Sequence, residues 1–346
     1  EPTPTPEPTP TPTPTPAQAK MVRLGGSDRY ATARKIAEEA FKGETVEEVV
    51  IVTGRNFPDA LSAGGYAGFY DCPVLISNES KVNDQTKALL QKYKNDGTGL
   101  KRITIIGKTF SESFYQQLES ITGLKRRCFD RSKSGIYTIG GSDRYETSLA
   151  VFKALLKDPA YKPAYAFVTT GKNPADALSA AAASYRFSCP ILLSRKSGLT
   201  QEAQNLVINN KVPLIILGSK ENCNDWLMEW YDNNRIAGGD RYETSAKFAS
   251  FCLNYMNDGA GFKNVAIAAG ANANYPDALV GGMLLGRKGG QLVLVKGQNV
   301  GGNGWPTTYF NYYKNGYKNR LENFYVLGSE AAVSEAVAKN LFGLVR

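Results

Sequence analysis

Short, wholly apolar runs alternate with longer mixed segments along most of this chain, and the alternation comes round three times. In the first round VRLGG, VVIVTG, PVLIS and ITIIG read as strands, because brief apolar runs bounded by glycine, proline or polar clusters suit strands buried on both faces. Between them the spacing predicts helices over 28–41, 58–70, 84–93 and 111–121. Such alternation predicts the doubly wound α/β class, with parallel sheets and right-handed crossovers.

The segment GGSDRYATARK beginning at Gly25 returns as GGSDRYETSLA at Gly140 and as AGGDRYETSAK at Ala237. Each copy is followed in the same order by VTGRNFPDALS, TTGKNPADALS or AAGANANYPDALV, then by PVLIS, PILLS or QLVLV, and last by ITIIGK, LIILGS or FYVLGS. Asp28, Asp143 and Asp240 lie 115 and 97 residues apart, and Asp59, Asp176 and Asp277 lie 117 and 101 apart. Agreement between independent landmarks means three tandem copies of one domain-sized unit, far longer than the period of a solenoid. The expected division is residues 21–134, 135–231 and 232–346, behind a disordered Pro/Thr-rich linker of residues 1–20.

Local chemistry accounts for part of the repeated motif. Asp143 precedes Glu146, and Asp240 precedes Glu243, by the three residues of a capping box at a helix start; the first copy has Ala31 there and so only half of it. Pro58 with Asp59, like Pro276 with Asp277, places a proline where its missing donor is harmless and an acid beside the positive end of the helix dipole.

Lysine and arginine total 41 against 32 acids, a net charge of +9; Glu1 and Glu7 are the only charges of the first sixteen residues, so the remainder carries +11. This excess favours polyanionic partners: nucleic acid, an anionic membrane, or an acidic polysaccharide or teichoic-type polymer. Nucleic acid is not expected, because no helix is rich in Arg, Asn and Gln and no strip interleaves aromatic with basic residues. No apolar stretch is long enough to span a bilayer.

The chain has no histidine, and its five cysteines form no CxxC pair, so no zinc or other metal site is expected and the commonest nucleophile–base triads are excluded. Neither GxGxxG nor a P-loop is present, and no cofactor is expected. Paired carboxylates acting as glycosidase acid and base stay open, but three copies keeping the same Asp, Arg, Tyr and Asp argue against catalysis. Cys72 and Cys189, at equivalent points before apolar runs, read as buried thiols, with a disulfide as the alternative in an oxidising compartment.

In an open parallel sheet the ligand crevice lies beyond the carboxyl ends of the strands, where all these motifs fall. Basic residues concentrate there: Arg29, Arg55, Lys81 and Lys108 in the first copy, Arg144, Lys172, Arg195, Lys196 and Lys220 in the second, Arg241 and Lys296 in the third. With helix N-termini they make a candidate anion-binding edge, solvated surface charge being the alternative. Arg29, Arg144 and Arg241, each followed by a tyrosine, admit two readings. Either they pair with Asp59, Asp176 or Asp277 from a neighbouring loop, or they stand at the crevice mouth for bidentate contact with an oxyanion. KRRCFDRSK (125–133) is a solvated linker or a polyanion contact, and WPTTYFNYYKNGY (305–317) packs its aromatic side on a sheet or stacks sugars.

The series G-x-x-R-Y-x-T, T-G-x-x-x-P-D-A-L-S-A, P-x-L-L-S and a late I-x-G resembles the cell-wall-binding type 2 repeat of Gram-positive surface proteins, over nearly all of residues 21–346. The resemblance implies three Rossmann-like or Toprim-like modules arranged as a pseudo-threefold trimer. It implies a non-catalytic, extracellular anchor that attaches a host protein noncovalently to an anionic secondary cell-wall polymer on peptidoglycan, with a separate functional domain ahead of the linker. A surface hydrolase acting on wall glycan or peptide is the second expectation. The ligand-contacting candidates are Arg29, Tyr30, Arg55, Asp59, Lys108, Arg144, Tyr145, Lys172, Asp176, Arg195, Arg241, Tyr242 and Asp277. Thr138 stands where the other copies have Arg23 and Arg235, and the third copy has AG for TG and DALV for DALS, which makes it the weakest expected site.

Overall fold

The apolar runs form strands as their pattern requires. The computed structural model describes residues 19–55, 57–224, 234–256, 261–271, 275–317 and 320–346; the linker up to residue 18 lies outside them. The first repeat supplies β1 (Lys20–Leu24), α1 (Arg29–Ala40), β2 (Glu48–Thr53), α2 (Phe57–Leu61), α3 (Ala63–Phe69), β3 (Val74–Ser77), α4 (Asp84–Asn95), β4 (Arg102–Ile106) and α5 (Glu112–Thr122). The second supplies β5 (Gly135–Ile139), α6 (Arg144–Leu156), β6 (Ala166–Thr170), α7 (Ala175–Ser179), α8 (Ala181–Arg186), β7 (Ile191–Ser194), α9 (Gln201–Asn209) and β8 (Leu214–Leu217). The third supplies β9 (Asn234–Ile236), α10 (Arg241–Phe251) with a π-helical turn (Cys252–Met256), and β10 (Asn264–Ala269). It continues with α11 (Tyr275–Arg287), β11 (Gly290–Val295), α12 (Trp305–Tyr317), β12 (Asn323–Leu327) and α13 (Glu335–Val345).

Three parallel four-stranded sheets result, in the orders β3-β2-β4-β5, β7-β6-β8-β9 and β1-β12-β10-β11. The sequence groups VRLGG with the three strands that follow it. The structure instead pairs β1 with β12, Val22 opposite Tyr325, and places β5 beside β4 and β9 beside β8. Each repeat's first strand thus completes the sheet of another repeat, and β1 carries the pattern from the third repeat back to the first. β2, β3, β10 and β11 are buried along their whole length, as apolar strands covered on both faces must be.

The small-residue helices α3, α8 and α11 pack against one another. Their closeness depends on glycine: a β-carbon at Gly68 would lie 1.8 Å from the Tyr185 carbonyl oxygen, and one at Gly286 would lie 2.6 Å from that of Ala182. At the end of α11 the Arg287 guanidinium, stacked 4.1 Å above the Phe41 ring, bonds Asp71 at 2.9 Å and also pairs with Glu44, so repeat 3 grips repeat 1.

Two stretches follow the sequence reading only in part. Within 125–133 Lys125, Arg126 and Arg127 are exposed, as a solvated linker requires, but Arg131 is not: it makes two bonds to Glu48 at 2.8 and 2.9 Å and covers the Tyr70 ring at 3.2 Å. Glu48 is only 5% exposed and also pairs with Arg102 at 2.9 Å, so the linker plugs the side of the first sheet. In α12, Tyr309, Phe310 and Tyr313 are buried, but Tyr312 faces solvent. All five cysteines are free thiols; four are buried and Cys128 is exposed.

Candidate ligand clefts between the repeats

Each D-R-Y-x-T segment starts a helix that lies against the end of another repeat. The aspartates cap as their spacing requires: Asp28 accepts the Ala31 N–H at 2.7 Å, Asp143 that of Glu146 at 2.8 Å, and Asp240 that of Glu243 at 2.9 Å. The glutamates reach back one residue further than in the usual box, Glu146 to the Ser142 N–H and Glu243 to the Gly239 N–H, both at 2.8 Å.

The next residue turns inward. Arg29, Arg144 and Arg241 each donate through Nη1 to the carbonyl of the glycine after the central strand, Gly54 and Gly171 at 2.5 Å and Gly270 at 2.6 Å. The same guanidinium acts on the aspartate of a different repeat: Arg144 on Asp59, Arg241 on Asp176, Arg29 on Asp277. Burial raises all three carboxyl groups above the ordinary range while the arginine opposes it, and Asp277 is pushed up to about 7. The Thr147 and Thr244 hydroxyls likewise oppose the rise at Asp59 and Asp176. Thr147, Thr244 and Thr32 each accept an N–H from the paired glycines upstream, at 2.9–3.1 Å.

The late I-x-G motif belongs to the same seam. Gly107, Gly218 and Gly328 have φ of 107°, 104° and 100°, and a β-carbon at any of them would come within 2.5–2.7 Å of Oδ2 of Asp59, Asp176 or Asp277. Their N–H groups donate to Ile139, Ile236 and Leu24, residues of the exchanged strands. Open clefts lie on these seams. One of about 220 Å³ is lined by Ser27, Arg29, Thr32, Asp277 and Ser329, between repeats 3 and 1; another of about 270 Å³ is lined by Asp176, Ser219, Asn222, Arg241 and Thr244, between repeats 2 and 3.

The segments that build these seams, residues 23–113, 138–225 and 235–338, each match the family Cell wall binding domain 2 (CWB2). The chain belongs to that family. Its fold is shared with Cwp6 from Clostridium difficile, at a TM-score of 0.79 and 22% identity over 94% of this chain and 48% of that one. Cwp8 from the same organism gives 0.75 and 22% over 95% of this chain and 53% of that one. In sequence the CWB2 chain is 27% identical to the N-acetylmuramoyl-L-alanine amidase LytC of Bacillus subtilis over 324 residues, 92% of its own length and 57% of that protein. It is 26% identical to the amidase enhancer of the same bacterium over 80% of its length and 35% of that protein's. The CWB2 chain therefore spans about half or less of these relatives.

The other candidate residues of the CWB2 chain line the same rim. Tyr30 bonds Asn78 at 3.1 Å, and Arg195 covers the Tyr145 ring at 4.1 Å while bonding Asp143 at 2.9 Å. The Tyr242 ring packs against the loop at Gly301 and Gly302. Arg55, Lys108, Lys172 and Arg195 are exposed, and the Lys108 stem lies along Gly140 at the seam of repeats 1 and 2. Sequence reasoning passed over two participants. The threonine of D-R-Y-x-T was visible as a threefold constant, whereas Glu79, which accepts from Thr53 at 3.1 Å, sits where repeat 2 has Lys196 and had no signal.

Proposed function

We propose that the chain is a non-catalytic anchor that attaches a host protein to the cell wall by binding an anionic secondary polymer, teichoic-acid-like or polysaccharide, carried on peptidoglycan. The observation that carries this reading is the division of roles at the seams. Arg29, Arg144 and Arg241 are taken up by carbonyl and carboxylate groups inside the molecule, while Arg55, Lys108, Lys172 and Arg195 stay exposed beside them. Exposed cations on a chain of net charge +9 suit a polyanion, and three similar seams on one body gain avidity on a repeating ligand. The circuit of strand exchange supports a pseudo-threefold arrangement of the modules. The place of work is the extracellular wall, and the extra length of the curated relatives supports a separate functional domain on the same chain.

A hydrolase is the second reading, favoured by the amidase among the relatives. Sedimentation with purified wall before and after extraction of the anionic polymer, with wall turbidity followed in parallel, tests both. Binding that disappears with the polymer is the expected result. Equal retention on extracted wall removes the polymer from the account, and clearing of the suspension favours the hydrolase.

A further inference from the structure

Repeat 3 carries a surface that the other two lack. In repeat 1 the outer edge between α1 and α4 is closed by polar side chains, Arg34 bonding Gln85 at 3.3 Å and Glu38 at 3.0 Å. In repeat 2 the edge between α6 and α9 is closed by the Lys153–Glu202 pair. The equivalent edge in repeat 3, between α10 with its π-helical turn and α12, is aromatic. Lys247 lies 5.1 Å from the Trp305 ring, and Tyr312 donates to Asn254 Oδ1 at 2.7 Å. Both contacts advance by the same seven residues on each helix, so the two helices run side by side in the same direction for about 10 Å.

Along this edge the rings rise from core to surface. Buried Phe248 stacks on half-buried Phe251 at 6.3 Å, and Phe251 meets Tyr255 at 5.2 Å. Tyr255 is 72% exposed and Tyr312 44%; together they are two of the three large hydrophobic side chains exposed among the described residues. The Tyr255 ring is backed by Phe251 and the Tyr312 hydroxyl is tied to Asn254, which lowers the ordering cost of a stacking contact. The π-helical turn re-aims this end of the helix, a deviation that concentrates at functional sites. The edge is not simply apolar: the exposed Asn254 amide, next to Tyr255 in the chain and with its oxygen engaged by Tyr312, adds a free donor.

We propose that this edge is a second binding site, specific to repeat 3, which stacks the C–H faces of pyranose rings and bonds their acetamido oxygens through Asn254. Its ligand is an acetamido-sugar glycan strand, chemically distinct from the polyanion assigned to the seams. Exposed tyrosine planes flanked by an amide match the alternating apolar and polar faces of such sugars, with Trp305 one contact further along the same edge, and two helical turns accommodate more than one ring. The site rests on contacts independent of the seams, so either assignment can fail alone.

The test is titration of the ¹⁵N-tryptophan-labelled chain with chitotetraose, following the Trp305 indole signal, which a Trp305→Phe variant identifies. The expected result is a saturable shift with a dissociation constant on the order of 1 mM, unchanged by salt and by replacement of Lys108 and Lys172. Tyr255→Ala combined with Tyr312→Ala weakens it about tenfold or more while the melting temperature holds, whereas Tyr255→Phe, which keeps the ring, retains binding. A Trp305 signal unmoved by ~10 mM chitotetraose overturns the proposal. So does self-association that the double variant abolishes, since the edge would then join copies of this chain.

Discussion

Arg144 and Asp59 come from different repeats and complete one seam: the guanidinium donates to the Gly171 carbonyl at 2.5 Å while its charge acts on a carboxylate lodged against Gly107. The same relation joins Arg241 to Asp176 and Arg29 to Asp277. The most repeated arginine of the sequence is therefore a fastener between modules.

Replacing Arg144 by Ala should lower unfolding free energy by about 2 kcal/mol, because it leaves a carbonyl and a mostly buried carboxylate without their charged partner. Urea denaturation measures this. A variant that loses wall binding with an unchanged midpoint contradicts the assignment.

Asp277 links stability to pH. Its folded value of about 7 lies above the unfolded carboxylate range, so the folded state holds the extra proton between pH 4 and 7, and stability falls as pH rises through that interval. Asp59 and Asp176, raised in the same sense, add to the slope. The melting temperature should be higher at pH 5 than at pH 8, and Asp277→Asn should flatten the difference. With no histidine in the chain, imidazole titration cannot produce the same profile.

Gly218 tests the carboxylate's seat. Alanine there meets a positive φ and places a β-carbon 2.5 Å from Asp176 Oδ2, so Gly218→Ala should cost about 2 kcal/mol or more, read from the denaturation midpoint. Gly343→Ala, where a β-carbon meets no neighbour within 4 Å, is the control and should leave the midpoint within about 0.5 kcal/mol of the parent.

The exposed cations should behave in the opposite way. Exchanging Arg55, Lys108, Lys172 and Arg195 for Gln together should reduce wall binding about tenfold and blunt its salt dependence, with little change in melting temperature. Binding isotherms on purified wall at two salt concentrations check this.

Most of the secondary structure was legible because buried parallel strands must be apolar throughout and helix starts carry Asp, Pro and Glu at fixed offsets. The exchange of first strands was not. Three repeats with the same pattern offer three equivalent partners for VRLGG, and periodicity cannot say which sheet a strand joins. The arginine–aspartate pairing was legible as chemistry but not as topology, for the same reason. Arg131 was misjudged because its partner Glu48 stands beside the half-buried Glu47, and the pair reads as the polar entrance to a strand.

β1 follows directly on the Pro/Thr-rich segment and is held in the third sheet by its ladder to β12, by the packing of Met21, Val22 and Leu24 on the core, and by the Arg23 contacts with Gly328, Val333 and Glu335. Tension applied along that segment would therefore reach first the clasp that shuts the circuit of exchanged strands. Five residues of parallel strand and one arginine form that clasp, so weakening Arg23 should lower the force at which the chain opens when pulled from this end, with wall binding at rest unchanged.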